Sequence, residues 1–247
     1  MTLPDGFRAS GDHFATDLPG ARAIFTTRRG GHSAGLYGSL NLGALTDDDP
    51  AAVARNRAAL REEIGTAELC FVHQVHGTEV RRIVERPPEP ARGDTARVDG
   101  QATTVRGVAL AALVADCLPV AVAGDGTVAM LHAGWRGLAE GVIAAGVRAL
   151  RELGADGELT AAIGPGAGIC CYEVGAEVHD AFADLPAAHR DRHLDLKAIA
   201  RARLRAAGVA EVRDIGLCTI CADPALLFSH RRDRGVTGRQ AGVAWLA

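Results

Sequence analysis

Apolar residues in this chain come in short runs, each stopped by Gly, Pro or Asp. They are ARAIFTT at 21–27, ELCFVHQV at 68–75, TEVRRIV at 78–84, GVALAALVAD at 107–116, LPVAVAG at 118–124, TVAMLHAG at 127–134, ELTAAIG at 158–164, EVRDIGLC at 211–218 and AGVAWLA at 241–247. Runs of this length, so bounded, are strand signals. A helical period takes over in four places. In DPAAVARNRAALREEIG (49–65) Asp49 can cap and Pro50 can occupy the first turn. GLAEGVIAAGVRALRELG (137–154) is closed by Gly154, EVGAEVHDAFADL spans 173–185, and LDLKAIARARLRAAG (194–208) is closed by Gly208. Strands that often follow one another, with about four helices between them, predict an α+β fold rather than a doubly wound one. The expected architecture is one domain over residues 1–247, a sandwich of mixed or antiparallel sheets flanked by helices. The segment ERPPEPARGDTARVDG (85–100) is rich in Pro and charge and is expected to be an exposed loop.

Composition changes this picture little and the function classes more. Hydrophobic residues make up 48% of the 247 and charged residues 23%, the balance of a globular chain with a sizeable core. Ala and Gly supply much of the apolar share, so close backbone approach stands in for aromatic bulk. A formal net charge of −3 argues against a nucleic-acid surface. The basic clusters, Arg28-Arg29, Arg81-Arg82 and SHRRDRG, are short enough for solvated faces or a local anion site. No apolar run approaches a membrane span and the first residues lack the pattern of an export signal, so a cytoplasmic protein without membrane partners is expected. In such a compartment the six cysteines are reduced thiols or metal ligands rather than a disulfide framework.

Candidate chemistry concentrates in two stretches. FVHQVHGTEV (71–80) sets His73 and His76 before a Gly-Thr turn. In VADCLPVAVAGDGTVAMLHAGWRG (114–137) one strand ends at Asp116-Cys117, Asp125-Gly126 turns a hairpin, and the returning strand carries His132. A hairpin brings its arms together, so Cys117 and His132 can be neighbours. Such a pair serves either as nucleophile and base or as two metal ligands. A third ligand from His73 or His76 would leave a fourth coordination position open, the pattern of a catalytic zinc. Packing roles for a buried Cys and His remain the alternative. The other cysteines are less promising: CTIC (218–221) is one CxxC, Cys170 and Cys171 are adjacent, and adjacent residues seldom share one tetrahedral ion. GPGAG (164–168) lacks the Gly-Lys-Ser/Thr of a phosphate loop, and no GxGxxG is present.

Several motifs in order, HQVHGTEV, DGQATTVRGVALAALVADCLPV, HAGWRG, IGPGAGICCYEVG and GLCTICADPALLFSHRRDRGVTGRQ, resemble the bacterial YfiH and mammalian laccase-domain family from about residue 39 onward. That family was first described as multicopper polyphenol oxidases and is now described as purine nucleoside phosphorylases. The resemblance implies a metal triad of His76, Cys117 and His132, with His73 left to pack or support, and zinc (Zn2+) rather than copper as its ion. It implies phosphorolysis of adenosine, inosine, guanosine and methylthioadenosine, with adenosine deaminase as a further activity; the partners are then a purine nucleoside and inorganic phosphate. Arg57, Arg136 and Arg239 lie in family-like motifs and are candidates for holding phosphate, for which the planar guanidinium suits bidentate contact. Asp116, beside Cys117, is the candidate for proton transfer or for orienting a ligand. Nine histidines without any HxH pair disfavour laccase chemistry. The alternative is a cysteine hydrolase with Cys117 as nucleophile and His132 as base, a role to which the family's link with peptidoglycan-precursor editing would give an amide substrate.

Overall fold

The computed structural model describes residues 2–87 and 96–247; residues 88–95, in the loop expected at 85–100, lie outside the described residues. The strands in chain order are β1 (Arg8–Ser10), β2 (His13–Leu18), β3 (Ala21–Phe25), β4 (Glu68–Cys70), β5 (Val80–Ile83), β6 (Gly100–Thr103) and β7 (Val108–Val114). There follow β8 (Leu118–Gly124), β9 (Thr127–Ala133), β10 (Leu159–Ile163), β11 (His189–Arg190), β12 (His193–Leu194), β13 (Val209–Asp214) and β14 (Gln240–Leu246). The helices are α1 (Pro50–Ile64), α2 (Trp135–Glu140), α3 (Val142–Glu152), α4 (Ala176–Asp180) and α5 (Leu196–Ala206).

Two six-stranded sheets carry the fold, ordered β1-β2-β3-β14-β7-β4 and β13-β10-β8-β9-β6-β5. Most pairs are antiparallel, and β4–β7, β5–β6 and β10–β13 are parallel. The architecture is therefore the expected α+β, with mixed sheets flanked by helices. Strand alternation decides what each face meets. On β8, Ala121 and Ala123 face the other sheet while Leu118, Val120 and Val122 face the helices. The inter-sheet layer joins Phe14, Phe25, Leu110 and Ala244 of the first sheet to Val128, Met130 and Ala162 of the second. Small residues let the layers approach: a Cβ on Gly242 of β14 would lie 2.5 Å from the Pro119 Cβ and 3.0 Å from the Met130 sulfur. Outside the first sheet, Leu60 of α1 packs on Ile24, Ala109, Ala111 and Val243. Outside the second, Leu138 of α2, Leu150 of α3 and Ile199 of α5 cover β8, β9 and β10.

The helix over 50–64 starts as its sequence predicts, with the Asp49 carboxylate accepting from the Ala51 N–H at 2.9 Å. Other expectations are corrected. The helix expected over 137–154 begins at Trp135 and breaks into α2 and α3 at Gly141, whose φ of 102° no helix accommodates. The helix expected over 173–185 is the five-residue α4. The strand expected over 68–75 ends at Cys70; His73 makes only an isolated bridge to Arg97. β1 is exposed throughout and β6 reads GQAT, so neither offers the apolar pattern that marks a strand.

Candidate active site

His76, Cys117 and His132 converge. Their ligand atoms lie within 4.8 Å of one another, with Cys117 Sγ 3.9 Å from His76 Nε2. The His76 and His132 rings meet edge to face, centroids 4.8 Å apart. Zn–S of about 2.3 Å and Zn–N of about 2.0–2.1 Å at tetrahedral angles place sulfur and nitrogen about 3.6 Å apart, so the donor set fits one tetrahedral ion. The hairpin expectation holds: β8 and β9 pair antiparallel, with Leu118 opposite Ala133 and Pro119 opposite His132, which brings Cys117 beside the end of β9. Gly134 leaves the room required, since a Cβ there would lie 3.0 Å from both Cys117 Sγ and His76 Cδ2. Of the two histidines in 71–80, His76 enters the cluster, and His73 lines the adjoining cavity.

Asp99, which sequence reasoning missed, organises the cluster. Its carboxylate is 1% exposed and accepts from three successive backbone N–H groups: Val75 at 3.1 Å, His76 at 2.9 Å and Gly77 at 2.7 Å. His76 sits at φ 62°, and this anion-binding nest holds it there. The same carboxylate is 2.7 Å from His132 Nδ1, and its backbone oxygen accepts from the His132 N–H. Burial opposes the charge on Asp99, but the His132 contact and the backbone N–H groups outweigh it and hold its pKa below the usual value. An ionised carboxylate only accepts, so Nδ1 of His132 carries its proton and Nε2 is the nitrogen presented to the cluster. Burial pushes the Cys117 thiol up, yet His132 and His76 overcome it and set its pKa at about 6. His132 shows the reverse: burial disfavours its charge, and Cys117 with Asp99 raises its pKa to about 9.

The cluster opens onto a cavity of about 500 Å³, in the range that holds a small ligand. Arg57 and Arg239 line it and are both fastened to the 41–43 segment. Arg57 Nε donates to the Leu42 carbonyl at 2.9 Å, and the Arg239 N–H donates to Asn41 Oδ1 at 2.8 Å. The Arg57 guanidinium lies 3.9 Å from the centre of the Phe71 ring, and burial lowers its pKa to about 10, so it stays charged at neutral pH. Among the described residues neither arginine makes an ion pair, which leaves two partly buried cations on the wall. Arg136 lies elsewhere: it is exposed, stacks 4.2 Å from the Trp135 ring centre, and does not line this cavity. Asp116 lines the cavity at φ 92°, with its carboxylate accepting from Thr219 Oγ1 at 2.6 Å and the Arg231 N–H at 2.7 Å. Tyr172, His230 and Arg231 also line it and were missed; only the basic SHRRDRG cluster hinted at an anion site. An outer depression of about 720 Å³ shares Tyr172 and Arg231 but touches none of His76, Cys117 and His132.

Fold and site together define an α+β sandwich with a His-Cys-His cluster that could hold a metal ion, facing a cavity of small-molecule size. Residues 22–247 match the family model described as multi-copper polyphenol oxidoreductase laccase. A relative named purine nucleoside phosphorylase from Xylella fastidiosa is 42% identical, over 92% of this chain and 93% of its own length. One of the same name from Streptomyces coelicolor is 42% identical, over 92% and 96%. Among solved structures, YfiH of Bacillus licheniformis superposes with a TM-score of 0.89 at 30% identity, over 99% of this chain and 100% of its own. YlmD of Geobacillus stearothermophilus gives 0.87 at 35%, over 98% and 99%. The chain belongs to this laccase-like YfiH/YlmD family. No helix among the described residues is long and apolar enough to cross a membrane.

Proposed function

We propose that this chain is a zinc-dependent purine nucleoside phosphorylase for adenosine, inosine, guanosine and methylthioadenosine, with adenosine deaminase as a second activity. The observation that carries the reading is the cavity itself, with the His76/Cys117/His132 set at one side and Arg57 and Arg239, neither in an ion pair among the described residues, on its wall. The names of the relatives support the reaction class. In phosphorolysis a phosphate oxygen bonds to the ribose anomeric carbon as the bond to the purine nitrogen breaks, giving free base and ribose 1-phosphate. Arg57 and Arg239 bind and orient the phosphate dianion, and the fixed guanidinium of Arg57 on Phe71 reduces the entropy lost in doing so. Tyr172 and Phe71 line the cavity and supply aromatic surface against which the base can pack. Asp116, with both oxygens engaged, orients Thr219 and the Arg231 backbone and thereby fixes the wall beside Cys117. Zinc held by His76, Cys117 and His132 would supply Lewis acidity and a water acidified to near neutrality, the latter suited to deamination. Ligand count favours zinc over a laccase copper assembly: among the described residues no histidine-rich cluster of the trinuclear kind occurs.

The test is incubation of metal-loaded protein with purine nucleosides, with and without phosphate. Phosphate-dependent release of base and ribose 1-phosphate, lost in His132→Ala, is expected; absence of product from the loaded enzyme sinks the reading. One observation favours the cysteine-hydrolase alternative. Asp99, His132 and Cys117 are arranged as orienter, base and nucleophile, with the thiol already near a pKa of about 6. A covalent substrate adduct on Cys117 in metal-free protein would select it.

A further inference from the structure

We propose that Cys170, Cys171, Cys218 and Cys221 form a second metal centre, a closed four-thiolate site for zinc or a similarly soft divalent ion. Their sulfurs all lie within 4.8 Å of one another. Cys170 Sγ and Cys221 Sγ are 3.6 Å apart. Four thiolates around a tetrahedral ion at about 2.3 Å stand about 3.8 Å from one another, so the set needs only small side-chain rotations to close. The adjacency of Cys170 and Cys171, an objection in the sequence, is met by a tight turn: the N–H groups of Cys171 and Tyr172 both donate to the Gly168 carbonyl at 3.0 Å.

The surroundings are those of thiolate ligands. The Cys218 sulfur accepts from the Gly168 N–H at 3.2 Å and from the backbone N–H groups of Ile220 and Cys221, so the CxxC loop curls around its own first ligand. Glycine at 168 leaves room for the cluster: a Cβ there would lie 3.1 Å from Cys218 Cβ and 3.2 Å from Cys170 Sγ, a tight approach to both. Four thiolates and one divalent ion leave a net negative charge, and a cation stands near to balance it. Lys197 is 5% exposed, donates to the Leu217 carbonyl at 2.6 Å, lies 4.0 Å from the Asp214 carboxylate that attracts it most, and is attracted further by Cys218 and Cys170. All four ligands complete a closed set with no open position, which is the structural rather than the catalytic pattern.

Topology gives the centre a purpose. β10 and β13 are parallel neighbours, so the loops that leave their C-terminal ends run side by side, joined by Gly166 N–H to Leu217 at 3.2 Å and Thr219 N–H to Gly166 at 3.1 Å. The ion would staple these loops. Tyr172 follows one pair of cysteines and Thr219 follows Cys218, and both belong to the cavity wall or hold Asp116. The inference stands apart from the proposed activity, because it concerns metal content and not turnover.

The experiment uses the full chain purified under reducing conditions, with zinc and cobalt(II) as probes. Wild type is expected to hold about two zinc ions per chain, and His76→Ala/His132→Ala and Cys170→Ser/Cys221→Ser about one each. Cobalt(II) bound to the double-His variant should show the visible bands of a tetrahedral ion and intense thiolate charge transfer in the near ultraviolet. In wild type, whose folding no substitution threatens, saturated charge transfer should match about five cobalt–thiolate bonds, against about one if Cys117 alone contributes. Charge transfer at the level of one thiolate, or a Cys170–Cys221 disulfide that persists in metal-free protein purified under the same reducing conditions, overturns the proposal.

Discussion

Asp99→Asn tests whether one buried carboxylate assembles the ligand set. Oδ2 accepts from Val75 and Gly77, and Oδ1 from His76 and His132. An amide keeps one acceptor and turns an NH2 toward two donors. With its oxygen at the Oδ2 position, it faces the His76 N–H and forces the His132 proton from Nδ1 to Nε2, the nitrogen the metal needs. With its oxygen at Oδ1, the Gly77 and Val75 N–H groups lose their acceptor and the turn that carries His76 loosens. Each charge-assisted bond is worth about 1.5–3 kcal/mol. Two are compromised either way, but Val75 is exposed to solvent and recovers part of its loss, so a destabilisation of about 2–4 kcal/mol is expected. Loss of the partner that orients a ligating histidine lowers metal affinity about 10–100-fold, which is about 1.4–2.7 kcal/mol. Chelator competition for zinc measures the second quantity and urea denaturation of metal-free protein the first. Zinc affinity within about twofold of wild type, with an unchanged denaturation midpoint, would refute the reasoning.

Gly134→Ala should weaken zinc binding at the triad, about tenfold or more, with a much smaller effect on the denaturation midpoint of the metal-free protein, because the added methyl crowds Cys117 and His76 at 3.0 Å while the backbone at φ −76° accepts any residue; chelator competition and urea titration check the two halves. Arg57→Ala should raise KM for phosphate about tenfold or more with a smaller effect on nucleoside KM, and Arg57→Lys should recover only part, since the flat stack on Phe71 is lost; steady-state kinetics with each substrate varied will show it. Gly242→Ala should cost about 1–3 kcal/mol of stability by forcing apart Pro119 and Met130, read as a lowered urea midpoint at constant m value.

The sequence displayed those parts of the fold whose burial is one-sided or complete over many residues. β7, β8, β9, β10 and β14 are long apolar runs, and the capped α1 announces both its ends. It hid β1 and β6, which gain their strand character from a partner rather than from their own pattern. At the site, the Cys117/His132 pairing followed from hairpin geometry alone, while the choice of His76 over His73 came from family resemblance and rests physically on the turn that Asp99 holds. Asp99 escaped notice because it ends a charged segment expected to be exposed, and only the pairing of β6 with β9 carries it to His132. Spacing alone did not bring the four cysteines together, because the β10–β13 adjacency that joins the two pairs is a tertiary fact.

The two non-glycine residues at the site with positive φ, His76 and Asp116, show how the scaffold sustains local strain. Each is over-determined by hydrogen bonds from chain distant in sequence. His76 is fixed by the Asp99 carboxylate, and Asp116 by Thr219, the Arg231 N–H and, through its carbonyl, the Ala167 N–H. Asp99 thus sets the backbone of His76 and the tautomer of His132, and Asp116, which precedes Cys117, ties that segment to the loops that carry the four cysteines. The triad geometry is consequently a property of the whole end of the sandwich: side chains contributed by separate segments keep their relation because carboxylates bridge those segments, one at each side of Cys117. This accounts for both buried acids lying beside the His-Cys-His cluster while neither belongs to the cluster itself.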